Sequence, residues 1–276
     1  MKNLIKNITP PFLYSWLRRI FVKPPVYIPE WITLSYEPMV GVKMFFDPKG
    51  PWQKRLLVDS YDSFFFDRLK KIDLKGKTIY DIGAHVGFHS LYFARLVGSE
   101  GRVYAFEPNP KNVERFSFVL AENKDLSPIV TICDAALSDK KGTEKFSMNS
   151  DVESGRSSGS FIDSADTMWD REAFKERGFF EIEVKTIPLD SLKSEMGFDR
   201  APDVMKIDVE GAESLVLKGA SETIKKYRPL ILLEVHSMPN MLEVARFFSS
   251  IEYDLEILNE ESYGRCFIEA KPRVLR

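Results

Sequence analysis

Six side chains able to hold protons, hydroxyls or cations stand where short apolar runs end. Asp81, Glu107, Asp134 and Asp208 close four such runs, and Glu234 and His236 close a fifth. If those runs are strands of one sheet, their ends line a single edge with negative charge. That edge suits a cationic ligand, a polyhydroxyl ligand or a metal ion. Lys206, Asp208 and Glu210 alternate along one run, and Glu234 and His236 along the next, so each set faces one way on an extended chain.

Just after Asp81 comes Gly83-Ala-His-Val-Gly87, a Gly-x-x-x-Gly turn carrying His85. A dinucleotide site uses Gly-x-Gly-x-x-Gly so that backbone N–H groups reach a pyrophosphate. Here those glycines are missing, and the carboxylate before the turn repels a diphosphate but favours an ammonium or sulfonium. This makes an oxidoreductase the weakest of the enzyme alternatives. Glu107 can accept both hydroxyls of a ribose. Asp134 and the backbone of Ala135 can read an adenine edge. An amino-acid head, a sulfonium, a ribose and an adenine, without phosphate, describe S-adenosylmethionine.

Methyl transfer to a hydroxyl needs alignment plus removal of the acceptor proton, by a base or by a metal that stabilises the alkoxide. His236 or Asp208 is the expected base, with Glu234 orienting the substrate. Alternatively Asp208, Glu234 and His236 ligate Mg²⁺ or Mn²⁺. Lys206, Glu210, Arg156 and Trp169 are the expected acceptor contacts. Lys206 can equally serve to neutralise its neighbouring carboxylates, and Trp169 to anchor a lid. His89, on the first turn of a helix where the macrodipole disfavours its cation, reads as a neutral wall residue. His85 either caps that helix or faces the acceptor.

The elements that position these groups alternate from residue 77 onward. "KTIYDIG", "RVYAFEP", "PIVTICDAAL", "DVMKIDVEG" and "PLILLEVH" read as strands. "FHSLYFARLVG", "PKNVERFSFVLAENK", "AESLVLKGASETIKKY" and "MPNMLEVARFFSS" read as helices, the second with Pro110 in its first turn. Two closing strands follow near 253–258 and 264–269. Strands alternating with helices predict a mostly parallel sheet covered on both faces, with ligands at the switch point of strand order. Residues 148–180 interrupt the rhythm with a Ser-, Gly- and Asp-rich insertion, expected to be a lid or loop. Residues 1–60 form an extension: an amphipathic helix over 1–25, then a Pro-rich, aromatic stretch of short extended pieces before a helix over 59–72.

"YDIGAHVGFHSL", "VYAFEPNP", "VMKIDVEGAE" and "LLEVH", in that order, resemble the FkbM-type S-adenosylmethionine-dependent methyltransferases across residues 77–250. The resemblance implies a Rossmann-like class I fold, a seven-stranded mostly parallel sheet in a domain over 61–276. It also implies O-methylation, often of a sugar or polyketide hydroxyl, in bacteria beside surface-polysaccharide synthesis. Carried over, Asp81, Gly83, His85 and Gly87 form the cofactor loop, although Asn is more usual at position 85. Glu107, Pro108 and Asn109 hold the ribose side. Asp208, Glu210 and Glu213 match the second signature. The acceptor expected is a sugar hydroxyl in a surface glycan or its nucleotide- or lipid-linked precursor. The alternatives are a lipid, polyketide or amine acceptor, or a non-catalytic cofactor-binding assembly subunit.

Bulk properties bound these readings. The chain has 276 residues, 44% hydrophobic and 29% charged, which fits a folded domain rather than a disordered tail. A net charge of −2 gives no general basic field for nucleic acid. Cys133 and Cys266 are the only cysteines, so a reducing cytoplasm is the expected setting. No acidic residue precedes Glu30, while Lys2, Lys6, Arg18, Arg19 and Lys23 accompany Phe12, Tyr14, Trp16 and Phe21. That arm suits peripheral contact with the inner face of an anionic membrane, packing on the catalytic domain, or a second subunit in a homo-oligomer.

Overall fold

A computed structural model describes residues 26–50, 52–152, 156–165, 176, 178–192, 198–260 and 265–273. The expected amphipathic helix over 1–25 lies outside these residues. No helix among them is long and apolar enough to cross a membrane.

The centre is a seven-stranded sheet. Its parallel strands are β3 (Thr78–Ile82), β4 (Arg102–Phe106), β5 (Val130–Cys133), β10 (Val204–Ile207) and β11 (Leu230–Val235). Two strands from the chain's end, β12 (Tyr253–Glu260) and β13 (Cys266–Pro272), complete it in the order β12-β13-β11-β10-β3-β4-β5. Only β13 runs against its neighbours. The order reverses between β3 and β10, so the ends of these two strands open the crevice where such sheets bind ligands. The strand–helix alternation implied this mostly parallel sheet covered on both faces, and the family resemblance implied its seven-stranded, Rossmann-like class I form.

Period-two patterning gives each sheet face its own core. Ile79, Val103 and Ala105 point to one side, against Phe88, Leu91, Tyr92 and Phe93 of α3 (Phe88–Val97) and Phe116 and Val119 of α4 (Pro110–Glu122). Tyr80, Ile82, Tyr104, Met205 and Ile207 point to the other, against α5 (Glu213–Gly219), α6 (Ser221–Tyr227) and α7 (Met238–Ser250). The α7 boundaries follow local chemistry: the Ser237 side chain accepts the Asn240 N–H as N-cap, and Pro239 sits in the first turn.

The described part of the N-terminal stretch joins the first core. A hairpin of β1 (Glu30–Thr33) and β2 (Lys43–Phe46) leads to α1 (Gln53–Leu56) and α2 (Ser63–Leu69). Leu34, Met44, Leu56, Phe65 and Phe66 pack with the α3 side chains. The Asn123 amide brackets Lys43, accepting its N–H at 2.9 Å and donating to its carbonyl at 2.8 Å.

Two expectations need correction. "PIVTICDAAL" is not one strand: β5 stops at Cys133, and β6 (Ala136–Leu137) leaves for a second sheet. That four-stranded sheet has the order β6-β9-β7-β8, with β7 (Gly142–Met148), β8 (Phe161–Ile162) and β9 (Phe180–Ile187). The 148–180 insertion is therefore not simply a polar loop. It starts and ends in a β7–β9 antiparallel pair, and Phe146, Met148, Phe161, Ile162 and Val184 give it a small core.

Candidate active site

The β3–α3 turn is built on close approach of two strand ends. Gly83 has φ +84°, and a Cβ there would stand 1.7 Å from the Asp208 carbonyl oxygen. Its N–H donates to the Phe106 carbonyl at 2.9 Å. Gly83→Ala is expected to cost about 1–3 kcal/mol of folding stability, since both the dihedral and the backbone contact must yield. Thermal denaturation of the variant checks this.

Glu107 is buried beside that turn. It accepts the His85 N–H at 2.8 Å through one oxygen, and the Asn109 N–H at 2.8 Å and Asn112 amide at 3.2 Å through the other. Burial pushes its carboxyl up to about 7, against the pull of Asn109, Asn112 and His85. Two oxygens carry about four acceptor sites, so these three donors leave room for a ligand hydroxyl. Burial also lowers His85 to about 4, so its imidazole is neutral; its Nε2 lies 3.0 Å from Ser157 Oγ.

A cavity of about 220 Å³ runs from this turn to the β10 and β11 ends. Gly83, His85, Glu107, Pro108 and Ala135 line it toward β4, and Lys206, Asp208, Glu210, Glu234 and Arg265 toward β11. Phe161 and Ile162 of the second sheet, and Trp52 and Tyr61 ahead of β3, complete the wall.

Behind the carboxylates lies His236, 3% exposed and absent from that lining. Its Nδ1 is 2.7 Å from Glu213 Oε1, and Glu213 is fully buried. Its Nε2 faces Glu234 at 3.2 Å, Glu210 at 3.4 Å and Asp208 at 3.7 Å. Burial alone would lower its pKa, yet Glu210, Glu213 and Glu234 together raise it well above the ordinary imidazole value. Burial lifts Glu210 to about 7; His236 and Arg265 pull against it, while Asp208 and Glu234 add to the rise. Asp208 goes the other way: burial would raise it, but Lys206 and His236 hold it below the usual range. Arg265 closes the cluster, hydrogen-bonded to Glu234 with Nη2 3.3 Å from His236 Nε2.

A family profile described as the methyltransferase FkbM domain matches residues 81–259. The chain belongs to the FkbM methyltransferase family. It is 28% identical over 180 residues to the hexuronic acid methyltransferase AglP of Haloferax volcanii, covering 65% of this chain and 64% of that one. It is 29% identical over 153 residues to the 2-O-methyltransferase NoeI of Sinorhizobium fredii, covering 54% and 60%. The chain thus spans less than two thirds of the length of either relative. The crystal structure of the methyltransferase FkbM from Methylobacillus flagellatus superimposes with TM-score 0.51 at 17% identity, over 72% of this chain and 44% of that one, a likeness of fold.

The structure brings most of the expected residues to one cavity and moves several roles. Asp81 does not face it. That carboxylate is fully buried, accepts the Ser90 hydroxyl at 2.6 Å and lies 3.5 Å from Lys206 Nζ. Lys206 in turn donates to the Gly83 carbonyl at 2.8 Å and stands 3.4 Å from Asp208, so Asp81 acts on the turn through this lysine. Asn109 is also structural: it caps α4 by accepting the Lys111 N–H at 3.0 Å. Asp134 is exposed and outside the lining, where Ala135, Ala136 and Leu137 present apolar surface instead. His236, expected as base, lies behind the lining rather than in it, within 3.2–3.7 Å of Glu234, Glu210 and Asp208. Gly87 sets α3 against Phe116, and His89 lines the cavity 3.2 Å from Asp62. Trp169 and the Arg156 side chain lie outside the described residues. Sequence reasoning missed Trp52, Tyr61 and Arg265 as site residues. The aromatic, Pro-broken stretch before residue 60 was the available signal for the first two.

Asp208, Glu234 and His236 offer three metal-ligating atoms within 4.8 Å of one another. The Arg265 guanidinium contacts two of those three residues, so cationic neutralisation is already provided there.

Proposed function

We propose that this chain transfers a methyl group from S-adenosylmethionine to a neutral hydroxyl, most simply that of a sugar in a glycan or its activated precursor. The observation that carries this reading is one continuous cavity at the sheet's switch point. It joins Glu107, which keeps acceptor capacity for a ligand hydroxyl, to an end lined by Asp208, Glu210 and Glu234. A carboxylate or phosphate as the reacting group would meet three acidic side chains there. A hydroxyl meets hydrogen-bond acceptors and a base. The names of two relatives, a hexuronic acid methyltransferase and a 2-O-methyltransferase, agree with a sugar and with oxygen as acceptor.

The residues present fit the cofactor. Glu107 offers acceptors to the ribose, Ala135 and Leu137 an apolar wall to the adenine, and the Gly83 turn an approach free of side chains. When bound, S-adenosylmethionine supplies an activated methyl group on a sulfonium. The protein's task is then to orient the hydroxyl and remove its proton. Glu210 is placed for that removal. It lines the cavity, its backbone is held at φ +52°, and its pKa of about 7 suits a base at neutral pH. Glu234 and Asp208 accept neighbouring hydroxyls, and His236 fixes all three from behind. Lys206 and Arg265 balance the charge without a metal ion, so turnover is expected to survive dialysis against EDTA; loss restored by Mg²⁺ or Mn²⁺ would overturn that assignment.

Calorimetric titration of S-adenosylhomocysteine tests the cofactor assignment. Donors from a ribose require the ionised form of Glu107. Affinity is therefore expected to weaken about tenfold from pH 8 to pH 6 as the carboxyl takes up a proton. Glu107→Ala should weaken binding at pH 8 and abolish this dependence. No binding to the folded wild type would reject the methyltransferase reading.

A further inference from the structure

The residues ahead of β3 lie before the family-matched range, yet two of them wall the reaction cavity. Trp52 stands at the start of α1, and Tyr61 in the turn before α2. Their rings pack at 5.7 Å between centroids, tilted by 47°. Trp52 also packs on His85 at 5.6 Å, which ties this wall to the β3–α3 turn. Tyr61 packs on Phe88 at 5.8 Å and on His89 at 5.7 Å, and Arg55 covers its ring at 5.4 Å. The Tyr61 phenol lies in the field of Asp208 and Glu234: burial first, then Asp62 and these two carboxylates, raises its pKa well above the usual value. Trp52 and Tyr61 line the same cavity as His85 and as Asp208, Glu210 and Glu234, the end assigned to the acceptor.

An aromatic surface facing acidic hydrogen-bond acceptors is a specific combination. It suits a ligand with one apolar face of C–H groups and a rim of hydroxyls, which describes a pyranose ring. An aliphatic alcohol would use the acceptors but not the flat wall. A nucleobase would use the wall but present few donors to three carboxylates.

We infer that Trp52 and Tyr61 form an aromatic platform on which the ring of a pyranose acceptor lies, with its hydroxyls turned to Asp208, Glu210 and Glu234. This rests on the methyltransferase reading and adds to it: acceptor choice resides in a segment outside the matched family domain. The platform contributes its face rather than its polar atom. The Trp52 indole N–H is buried and has no hydrogen-bond partner among the described residues. Replacing the indole by a benzyl ring keeps a face and removes that unpaired donor.

The test uses the full chain saturated with S-adenosylhomocysteine and three probes: the methyl α-pyranosides of glucose, galactose and mannose. Saturation-transfer NMR reads their ring protons, and calorimetry of S-adenosylhomocysteine checks that each variant is folded. Wild type is expected to saturate the ring C–H protons of at least one probe. Trp52→Ala should raise that probe's Kd about tenfold or more while leaving S-adenosylhomocysteine affinity near wild type. Trp52→Phe and Tyr61→Phe, which retain rings, should bind the probe within about threefold of wild type. Wild type that binds S-adenosylhomocysteine but none of the pyranosides overturns the platform and leaves methyl transfer standing. Equal loss of both ligands in Trp52→Ala, with recovery of both in Trp52→Phe, also overturns it and makes the wall part of the cofactor site. Failure of wild type to bind S-adenosylhomocysteine would instead reject the underlying methyltransferase reading.

Discussion

Glu210→Gln is expected to lower kcat for methyl transfer by about 10²–10⁴-fold, the range a positioned general base supplies. The amide has nearly the same shape and lines the same wall, but it cannot take a proton from a hydroxyl. Affinity for S-adenosylhomocysteine should stay near that of wild type, because the proposed cofactor contacts are Glu107 and the Gly83 turn, not Glu210. Folding stability should change little, since a neutral side chain gives up attraction to His236 and Arg265 but is relieved of burial cost and of repulsion from Asp208 and Glu234. Labelled-methyl transfer in single-turnover mode separates the chemical step from product release. A variant with kcat within threefold of wild type would remove Glu210 as base and return the role to Asp208, the other half-buried carboxylate of the wall.

The sequence displays this fold where its physics is local. β3, β4, β10 and β11 are mostly apolar because both faces of the sheet are covered, and α7 carries its own N-cap and proline. The placement of the Gly83 turn, Glu107, Asp208 and Glu234 at one cavity was legible for the same reason, since it follows from the strand end they occupy; Asp81 and Asp134 occupy such ends too, yet stay out of the lining. What was not legible depends on contacts distant in sequence. Nothing within "VTICDAAL" shows that Ala136 and Leu137 pair with Thr186 and Ile187 and so leave the main sheet. Alternation put Glu210 on the face of Lys206 and Asp208, but β10 ends at Ile207 and the left-handed backbone at Glu210 redirects its side chain. Alternation likewise grouped His236 with Glu234. Its depth is set by Glu213 and Arg265, which arrive from separate elements.

Removing the His236 ring should be more damaging to the fold than to any single chemical step. His236→Ala is expected to cost about 3–5 kcal/mol, the penalty for leaving buried charges without their partner. Glu213 would lose its 2.7 Å contact inside the protein, and Glu234 and Glu210 would repel one another across the space left by the imidazole. Chemical denaturation at neutral pH reads this loss directly. Removing the partner as well should return part of it, because His236→Ala with Glu213→Ala leaves one fewer uncompensated charge; the coupling in that double-mutant cycle should exceed about 1 kcal/mol. A base acting directly on the acceptor behaves otherwise: its alanine variant folds nearly as stably as wild type and fails only in turnover. A stable but inactive His236→Ala would therefore place the imidazole at the acceptor, while an unstable one confirms it as the buried support from which the reacting carboxylates are held.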